Sequence, residues 1–336
     1  MMPKISIILP ILNEEAYIAN CLDSILSSDY PKEQMEIFLV DGGSCDATLS
    51  IIKEYQKKYS FIKLLHNDKK IVPISMNLGI KAASGAYIIR LDAHAAYPSD
   101  YFSKLIEYHQ HLDAANVGTC IKTEVKNATP VSNAIKNVLS DKLGVGSGFR
   151  SGCESLKEVD TVPFGCFKRQ VFEEVGFYDE RLIRNQDIEL NKRIIKSGGK
   201  IYIIPDTSCS YFARESFAAL AKNNFENGKW NLLTSYYTKT FSSLSLRHFV
   251  PLIFLLSLFM TLLLSIINSD FFPLFLAIFL PYLSIITLRS YQIKKGTTLL
   301  TQIAAFFTLH MSYGAGSLFG IFSTIALYIK EKNETI

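Results

Sequence analysis

The chain has 336 residues, of which 49% are hydrophobic and 20% charged, and its formal net charge is +4. This length suggests one large domain or two smaller ones. Because the net charge is modest and the sequence has no long basic run, nucleic-acid binding is not predicted.

Two features of the sequence indicate the cellular compartment. None of the six cysteines belongs to a C-x-x-C pair, and their scatter fits neither a zinc site nor a disulfide framework. We therefore expect reduced thiols, as in the cytosol. The start of the chain, MMPKISIILPILNEE, has a short apolar run followed by acids, so no secretory signal is predicted.

Short apolar strands alternate with amphipathic helices as far as Leu112. Strands are predicted at KISIILP, MEIFLVD, IKLLH and AYIIRLD, and helices at EEAYIANCLDSILSS, CDATLSIIKEYQKKY, PISMNLGIKAAS and SDYFSKLIEYHQHL. Asn13 is the expected N-cap of the first helix. Strict alternation requires crossover connections, so we predict an α/β fold with a mostly parallel sheet whose strands are buried on both faces.

Polar residues follow three of these strands. Asn13, Asp41 and Asp92 come at the carboxyl ends, where open α/β sheets bind ligands. In DGGSCDAT, two glycines permit a sharp turn and the close approach of a flat ring, and Asp41 can accept a hydrogen bond from a base N–H. A tight strand-to-helix turn explains the glycines and Asp46 equally well, but it does not explain Asp41. Without a G-x-G-x-x-G or P-loop motif, neither a dinucleotide cofactor nor a P-loop nucleotide hydrolase is supported.

Asp92 and His94 stand one residue apart at the end of AYIIRLD. A pair of metal ligands and a polar cap on a strand end both account for this tripeptide by itself. Its position at a carboxyl strand end favours a ligand-binding role.

Three long segments near the end of the chain are uncharged or nearly so. They cover residues 249–269, 271–288 and 296–329, and only His310 in the third can carry charge. Each is long enough as a helix to cross a hydrocarbon core of about 30 Å. The third exceeds one span, so it is predicted either as one tilted helix or as an interfacial piece followed by a span.

Positive residues flank the first two of these segments. Arg247 and His248 precede them, and Arg289, Lys294 and Lys295 follow. The positive-inside rule therefore places both ends of this hairpin, and the N-terminal part of the chain, in the cytosol. Positive charge at residues 330 and 332, beyond the third segment, then lies outside, which the rule disfavours.

Five motifs in order resemble those of family 2 glycosyltransferases with the GT-A fold. They are SIILPILNEE, VDGGSCDAT, NLGIKAASGAYIIRLDAH, VPFGCFKRQVFEEVGFYDE and RNQDIELNKRIIKSGGKIY, and the match covers about residues 4 to 230. The D-A-H tripeptide followed by Tyr-Pro, together with a C-terminal membrane region, is similar to succinoglycan-type glucosyltransferases of exopolysaccharide assembly. The resemblance implies a cytosolic GT-A domain at residues 1–230, a connector at 231–248 and a membrane region of about three helices at 249–330.

The resemblance also implies a donor site for a nucleotide-sugar, with UDP-sugar expected. Residues matching the donor-contacting positions are Pro10, Asn13, Glu15, Asp41, Lys70, Asn77 and Asp92. For Lys70 the alternative is a solvated surface lysine.

A divalent metal, Mn²⁺ or Mg²⁺, follows from the same resemblance. The family usually holds the ion with D-x-D, and here the matching residues are Asp92 and His94. An imidazole ligand suits Mn²⁺ better than Mg²⁺. The alternative is that His94 only hydrogen-bonds a phosphate.

Asp187 matches the family's catalytic base, although Asp at a helix start can also serve as an N-cap. The neighbouring acid of the family is replaced by Gln186. Acceptor contacts are expected from Phe164, Gly165, Gln186 and Trp230. For Trp230, an aromatic at the membrane interface is the alternative.

The Q-x-x-R-W motif of processive synthases is replaced by ENGKW at residues 226–230, which favours transfer of a single sugar. The leading hypothesis is an inverting glycosyltransferase in the cytoplasmic membrane that acts on a lipid-linked glycan acceptor during surface-polysaccharide assembly. The alternatives are transfer to a polyprenyl phosphate and an inactive, nucleotide-sugar-binding membrane scaffold. A transport protein is disfavoured by the large N-terminal domain.

Overall fold

The computed structural model of the protein describes residues 2–144, 148–150, 152–240 and 248–334. In these ranges the strands are β1 (Ile5–Ile11), β2 (Met35–Asp41), β3 (Ile62–His66), β4 (Tyr87–Arg90), β5 (Ala95–Ala96), β6 (Asn116–Glu124), β7 (Lys157–Glu158), β8 (Cys166–Lys168) and β9 (Ile201–Phe212). The helices are α1 (Ile18–Leu26), α2 (Thr48–Lys58), α3 (Val72–Ala82), α4 (Tyr101–His111), α5 (Pro130–Ser140), α6 (Arg169–Glu174), α7 (Gln186–Lys196), α8 (Phe217–Thr238), α9 (Val250–Ile267), α10 (Phe272–Ile293) and α11 (Leu299–Glu334).

The chain divides into two compact units. The first unit contains all the strands, and its two segments end at Glu124 and at Phe212. The second unit contains the segment that begins at Val125 and the chain from Ala213 onward. This division differs from the expected one, because α5 and all of α8 group with the apolar C-terminal helices and not with residues 1–230.

One mixed sheet forms the centre of the first unit. Its strand order is β3-β2-β1-β4-β8-β6-β9-β5, and β7 pairs with β9. The pairs β3–β2, β2–β1 and β1–β4 are parallel, as the alternation of strands and helices predicts. Strands β5, β7 and β8 pair antiparallel, and each has only two or three residues, too few for a periodic sequence signal.

The parallel strands are buried on both faces. In β1, Ile7 and Leu9 belong to the apolar cluster that contains Leu22 of α1, whereas Ile8 belongs to the cluster that contains Met76 of α3. Because alternate side chains of a strand point to opposite faces, helices cover both sides of this part of the sheet.

The register of these strands brings their carboxyl ends together. Ile11 pairs with Asp41, and Asp41 pairs in turn with His66. On the other side of β1, Ile8 pairs with Arg90, two residues before Asp92. The polar residues that follow β1, β2 and β4 therefore emerge along one edge of the sheet.

Two sequence expectations about the first unit are wrong. Helix α1 begins at Ile18 with Tyr17 as its N-cap, so Asn13 does not cap it. Cys120 and Cys153 form a disulfide with a Cα–Cα distance of 5.8 Å, although reduced thiols were expected throughout. The two cysteines lie 33 residues apart, so their pairing follows from the tertiary structure and not from their spacing.

Three helices of the second unit are long and apolar enough to cross a membrane. They cover Val250–Ile267, Ser269–Ile293 and Leu299–Glu334. The third apolar segment thus forms one continuous helix, α11, and not an interfacial piece followed by a span. Arg247, one of the expected flanking charges, lies outside the described residues.

Glycines allow α8 and α11 to pack backbone to backbone. A Cβ atom on Gly316 would collide with the carbonyl oxygen of Phe225, and one on Gly228 would collide with that of Tyr313. Small residues of this kind are typical of close helix pairs in membranes. This close approach explains why α8 belongs to the second unit.

Candidate active site

The turn after β2 is built around the carboxylate of Asp41, which is only 1% exposed. It accepts hydrogen bonds from the Gly43 N–H at 2.9 Å and from the Ser44 hydroxyl at 2.6 Å. Gly43 has a φ of 88°, a conformation that glycine adopts without strain. Asp41 therefore fixes the shape of the turn from within.

The loop after β1 is cross-linked to this turn. Asn13 donates its backbone N–H to the Ser44 hydroxyl at 2.9 Å, and its side-chain oxygen accepts the Cys45 N–H at 2.8 Å. Glu15 accepts the Ala47 N–H at 2.9 Å. Asn13 has a φ of 55°, which is uncommon for a residue with a side chain. Such a conformation persists only where neighbouring contacts hold it.

Lys70 also lies against the turn after β2. It has a φ of 60°, and its Cε and Nζ atoms stand 3.4 and 3.6 Å from the position that a Cβ on Gly43 would take. Pro10 pairs with Val40 in the adjoining strands. The structure therefore brings five of the predicted donor residues to one place: Pro10, Asn13, Glu15, Asp41 and Lys70.

Asn77 was predicted to contact the donor, but its side chain bonds another part of the chain. It is buried in α3, its amide nitrogen donates to the Tyr178 carbonyl at 3.0 Å, and its oxygen accepts the Tyr178 N–H at 3.0 Å. The amide nitrogen also donates to Glu180 at 2.9 Å. These bonds tie α3 to the segment before α7, so Asn77 has a structural task.

Asp92 directly follows Leu91 after β4, and its side chain is 23% exposed. Its backbone N–H and carbonyl both hydrogen-bond the hydroxyl of Tyr97, at 3.0 and 3.1 Å. The carboxylate itself stands 3.6 Å from a guanidinium nitrogen of Arg90. The backbone of Asp92 is thus held firmly while its carboxylate faces the edge of the sheet.

Both ring nitrogens of His94 have partners. Nδ1 lies 3.2 Å from Glu14 Oε1, and Nε2 lies 3.0 Å from the Tyr211 hydroxyl. Burial lowers the pKa of His94, but Tyr211, Glu14 and Asp92 outweigh burial and raise the pKa to about 10. With both ring nitrogens engaged by the protein, His94 offers no free nitrogen to a metal ion in this arrangement.

Arg90 stands between two carboxylates from different parts of the chain. Its guanidinium nitrogens lie 3.6 Å from Asp92 Oδ1 and 3.8 Å from Asp187 Oδ2. Burial lowers the pKa of Arg90, but the charges of Asp92 and Asp187 outweigh burial and raise it. The side chain is only 14% exposed, so this charge sits largely out of water.

Asp187 is the second residue of α7, and the N-cap position belongs to Asn185. Its carboxylate accepts the N–H of Ile188 at 2.9 Å. Asp187 thus occupies the first turn of the helix, where a negative charge is favourable, and it also reaches Arg90.

The segment before β8 contributes the predicted acceptor residues Phe164 and Gly165. The Gly165 carbonyl accepts the N–H of Arg90 at 3.1 Å. Phe164 has a φ of 49° and packs against Tyr97 and Tyr211, with ring centroids 6.1 and 6.2 Å apart. These residues therefore lie beside the Arg90 cluster.

Gln186 is 5% exposed, and its Oε1 has no hydrogen-bond partner among the residues that the structure describes. Trp230, by contrast, belongs to the second unit. It is buried on α8 and stacks on Tyr237 with ring centroids 6.4 Å apart.

Sequence reasoning missed Glu14, Arg90 and Tyr211. Arg90 had a signal, since a charged residue in the apolar strand YIIRLD has to find partners when it is buried. Glu14 and Tyr211 gave none, because their role depends on the approach of the loop after β1 and of β9 to His94.

The fold matches solved structures of the GT-A class. A mannosyltransferase from Pyrobaculum calidifontis, solved with GDP-Man and Mn²⁺, aligns over 96% of this chain and 88% of its own with a TM-score of 0.63 and 15% identity. S. aureus TarS 1–349 with UDP-GlcNAc aligns over 94% and 90% with a TM-score of 0.52 and 15% identity. At this identity the likeness concerns the fold, which is GT-A followed by apolar C-terminal helices, as predicted.

Two curated relatives are similar in sequence. A dolichyl N-acetyl-alpha-D-glucosaminyl phosphate 3-beta-D-2,3-diacetamido-2,3-dideoxy-beta-D-glucuronosyltransferase of Methanococcus voltae is 36% identical over 67% of this chain and 71% of its own. The succinoglycan biosynthesis protein ExoA of Rhizobium meliloti is 29% identical over 66% of this chain and 67% of its own.

The profile described as "Glycosyl transferase family 2" matches residues 6–176. The chain therefore belongs to glycosyltransferase family 2, and it is a glycosyltransferase. This confirms the resemblance that the five sequence motifs indicated.

The hydrogen bonds of Asp41 predict a local effect of its substitution. Asp41→Asn places an NH₂ group against the N–H donors of the turn, and an unsatisfied buried donor costs about 1–3 kcal/mol. We expect faster amide hydrogen exchange at residues 42–47, with unchanged exchange in β6. Equal protection of the turn in the variant and the parent protein would show that Asp41 does not hold it.

Proposed function

We propose that this glycosyltransferase moves one sugar, with inversion, from a nucleotide-sugar donor to a lipid-linked glycan acceptor in surface-polysaccharide assembly, with a UDP-sugar as the donor. The observation that carries the proposal is the approach of Asp187 to Asp92, both within 4 Å of Arg90 at one edge of the sheet. The carboxylate of Asp92 on the donor side and the candidate base Asp187 thus both lie next to the Arg90 guanidinium.

The donor nucleotide would bind over the turn after β2. Asn13, Asp41 and Lys70 surround this turn. Glycine leaves room for a flat base or a ribose to approach the backbone, and the ammonium group of Lys70 suits a diphosphate. The titles of the TarS and mannosyltransferase structures name a UDP-sugar and GDP-Man for those proteins.

A divalent ion fits the carboxylate of Asp92 and does not fit His94 as it stands. Asp92 is partly exposed at a strand end, whereas both nitrogens of His94 are hydrogen-bonded. Within the described parts of the chain, no three His, Cys, Asp or Glu side chains converge on one point. One carboxylate plus substrate phosphates is a common way of binding Mg²⁺ and similar ions. Asp92 would therefore hold the ion, and the ion would neutralise charge on the leaving diphosphate.

His94 would then contact the donor phosphates and not the ion. Its ring is held by Glu14 and Tyr211 two residues beyond Asp92. This corresponds to the alternative left open by the sequence, in which His94 faces a phosphate and does not bind the metal.

Asp187 would be the general base. The acceptor hydroxyl attacks the anomeric carbon, its proton passes to the Asp187 carboxylate, and the bond from the anomeric carbon to the diphosphate oxygen breaks. Direct displacement by one nucleophile inverts the configuration, and no covalent sugar–enzyme intermediate is required.

The membrane region would bring the enzyme to its acceptor. Three helices are apolar and long enough to span a bilayer. Arg289 lies near the end of the second of them, and Lys294 and Lys295 follow it. The positive-inside rule favours the cytoplasmic face of the membrane for that end, and we propose that the catalytic unit acts on the same side. The M. voltae relative is named for a dolichyl phosphate sugar, which is a lipid-linked acceptor.

A donor screen tests the proposed function. Membranes that contain the protein, with extracted lipid-linked glycans and Mn²⁺, should release free nucleoside diphosphate from one of a set of nucleotide-sugars, and a UDP-sugar is expected. A chelator should abolish the release, and a divalent ion, Mn²⁺ or Mg²⁺, should restore it. Absence of release with every donor would contradict the proposed function, and full activity in excess chelator would contradict the metal alone.

The assignment of the base predicts that Asp187→Asn keeps nucleotide binding but lowers kcat by about 10²–10⁴-fold, the usual contribution of general-base catalysis. The substitution preserves the size and the position in the first turn of α7, so the fold should persist. Steady-state kinetics and nucleotide titration measure the two effects separately. Near-normal turnover in a variant with unchanged nucleotide affinity would show that Asp187 is not the base.

A further inference from the structure

Arg90 is a largely buried charge that lies close to two carboxylates of the site. It is a charged side chain at the end of an apolar strand, and it is 14% exposed. Burying an unpaired charge is costly, so such residues are paired or hydrogen-bonded. Here the pairing is shared between Asp92, which follows β4, and Asp187, which lies in α7.

The backbone of Arg90 is fixed on both sides of the strand. Its Cα pairs with Ile8 of β1, and its N–H donates to the Gly165 carbonyl at 3.1 Å. The N–H of the next residue, Leu91, donates to the Ile8 carbonyl at 3.0 Å. The guanidinium therefore projects from a rigid part of the sheet, whereas Asp187 lies on a helix that has to be aligned with it.

The guanidinium lies between the two carboxylates and separates them. Both carboxylates stand 3.6–3.8 Å away, beyond ordinary hydrogen-bond length. Arg90 Nε has no hydrogen-bond partner among the described residues, and the same is true of the buried hydroxyl of Tyr178. The Arg90 charge opposes the burial that raises the pKa of Tyr178, so these two groups are neighbours.

We infer that Arg90 is a positioning residue, which sets the distance of the Asp187 carboxylate from Asp92 and its orientation. This inference rests on the proposed function, because it takes Asp187 as the base. The positive charge between two carboxylates counteracts their repulsion, and its two terminal nitrogens each face one of them. A lysine, with one compact charge on a flexible stem, would supply the charge without the geometry.

The test compares Arg90→Met, which removes the charge at similar length, with Arg90→Lys, which keeps the charge. A misplacement of about 1 Å at a reacting group can cost about 100-fold in rate, so we expect Arg90→Met to lose about that factor in kcat. Donor and acceptor KM should change much less. Arg90→Lys should recover part of the loss.

A matched control is Arg169→Met. Arg169 follows β8, which pairs with β4, but its guanidinium bonds the backbone carbonyls of Gly85 and Ala83, before the start of β4. This variant should lose thermal stability and keep the kcat of the folded enzyme. All rates are therefore normalised to folded protein, measured by detergent-phase size exclusion and by nucleotide binding.

A double-mutant cycle shows which residue Arg90 acts through. If it acts through the base, Arg90→Met should add little to the loss in Asp187→Asn, because residues that act as a unit are non-additive. Full additivity of the two losses would overturn the inference, as would an unchanged kcat in folded Arg90→Met.

Two further outcomes are also decisive. A rise in donor KM at constant kcat would make Arg90 a donor-phosphate ligand and would overturn the positioning role. An inactive parent protein would contradict the proposed function instead. In a parent that is active, normal turnover of Asp187→Asn would contradict the assignment of the base, and with it the inference.

Discussion

The site depends on the register of three buried parallel strands. Ile11 stands beside Asp41, and Ile8 stands beside Arg90, so the residues after β1, β2 and β4 meet along one edge. A slip of one residue in a strand would turn every side chain to the other face. Burial on both faces opposes such a slip, since apolar clusters lie on each side of the sheet. The apolar core thereby fixes the positions of polar groups that do not belong to it.

Charge is the second constraint on this edge of the sheet. Two largely buried basic side chains, Arg90 and His94, stand within two residues of Asp92 on either side of it. Each also has an acidic partner from elsewhere in the chain, Asp187 for Arg90 and Glu14 for His94. Acidic and basic side chains are therefore neighbours in the site, where the proposed diphosphate and divalent cation would bind together. Pairing of this kind avoids leaving a buried charge uncompensated.

Much of the fold followed from local sequence pattern. Local sequence predicted the four apolar strands of the parallel half, the helices between them and the polar residues at their ends, because each signal spans only a few residues. The antiparallel strands β5, β7 and β8 were not predicted, since two or three residues carry no periodicity. The longer strands β6 and β9 were not predicted either. The disulfide between Cys120 and Cys153 also escaped prediction, because the fold and not the spacing joins them.

The site, too, could be predicted only in part from local sequence. Asp41, Asp92 and Asp187 were singled out as candidates from motifs. The hydrogen-bond partners of His94 could not be predicted, because Glu14 and Tyr211 lie 80 and 117 positions away in the sequence. Asn13 was expected to cap α1, but the turn after β2 takes its side chain instead. In each case a long-range partner decides the role of the residue.

The most direct measurement of this account is an experimental structure with a nucleoside diphosphate and Mn²⁺, with the ion located by its anomalous signal. The account predicts the nucleoside over the turn after β2, the ion bound by Asp92 and the diphosphate, and Asp187 across from them with His94 still paired to Glu14. A nucleotide bound away from the carboxyl ends of β1, β2 and β4, or an ion without Asp92 among its ligands, would contradict it.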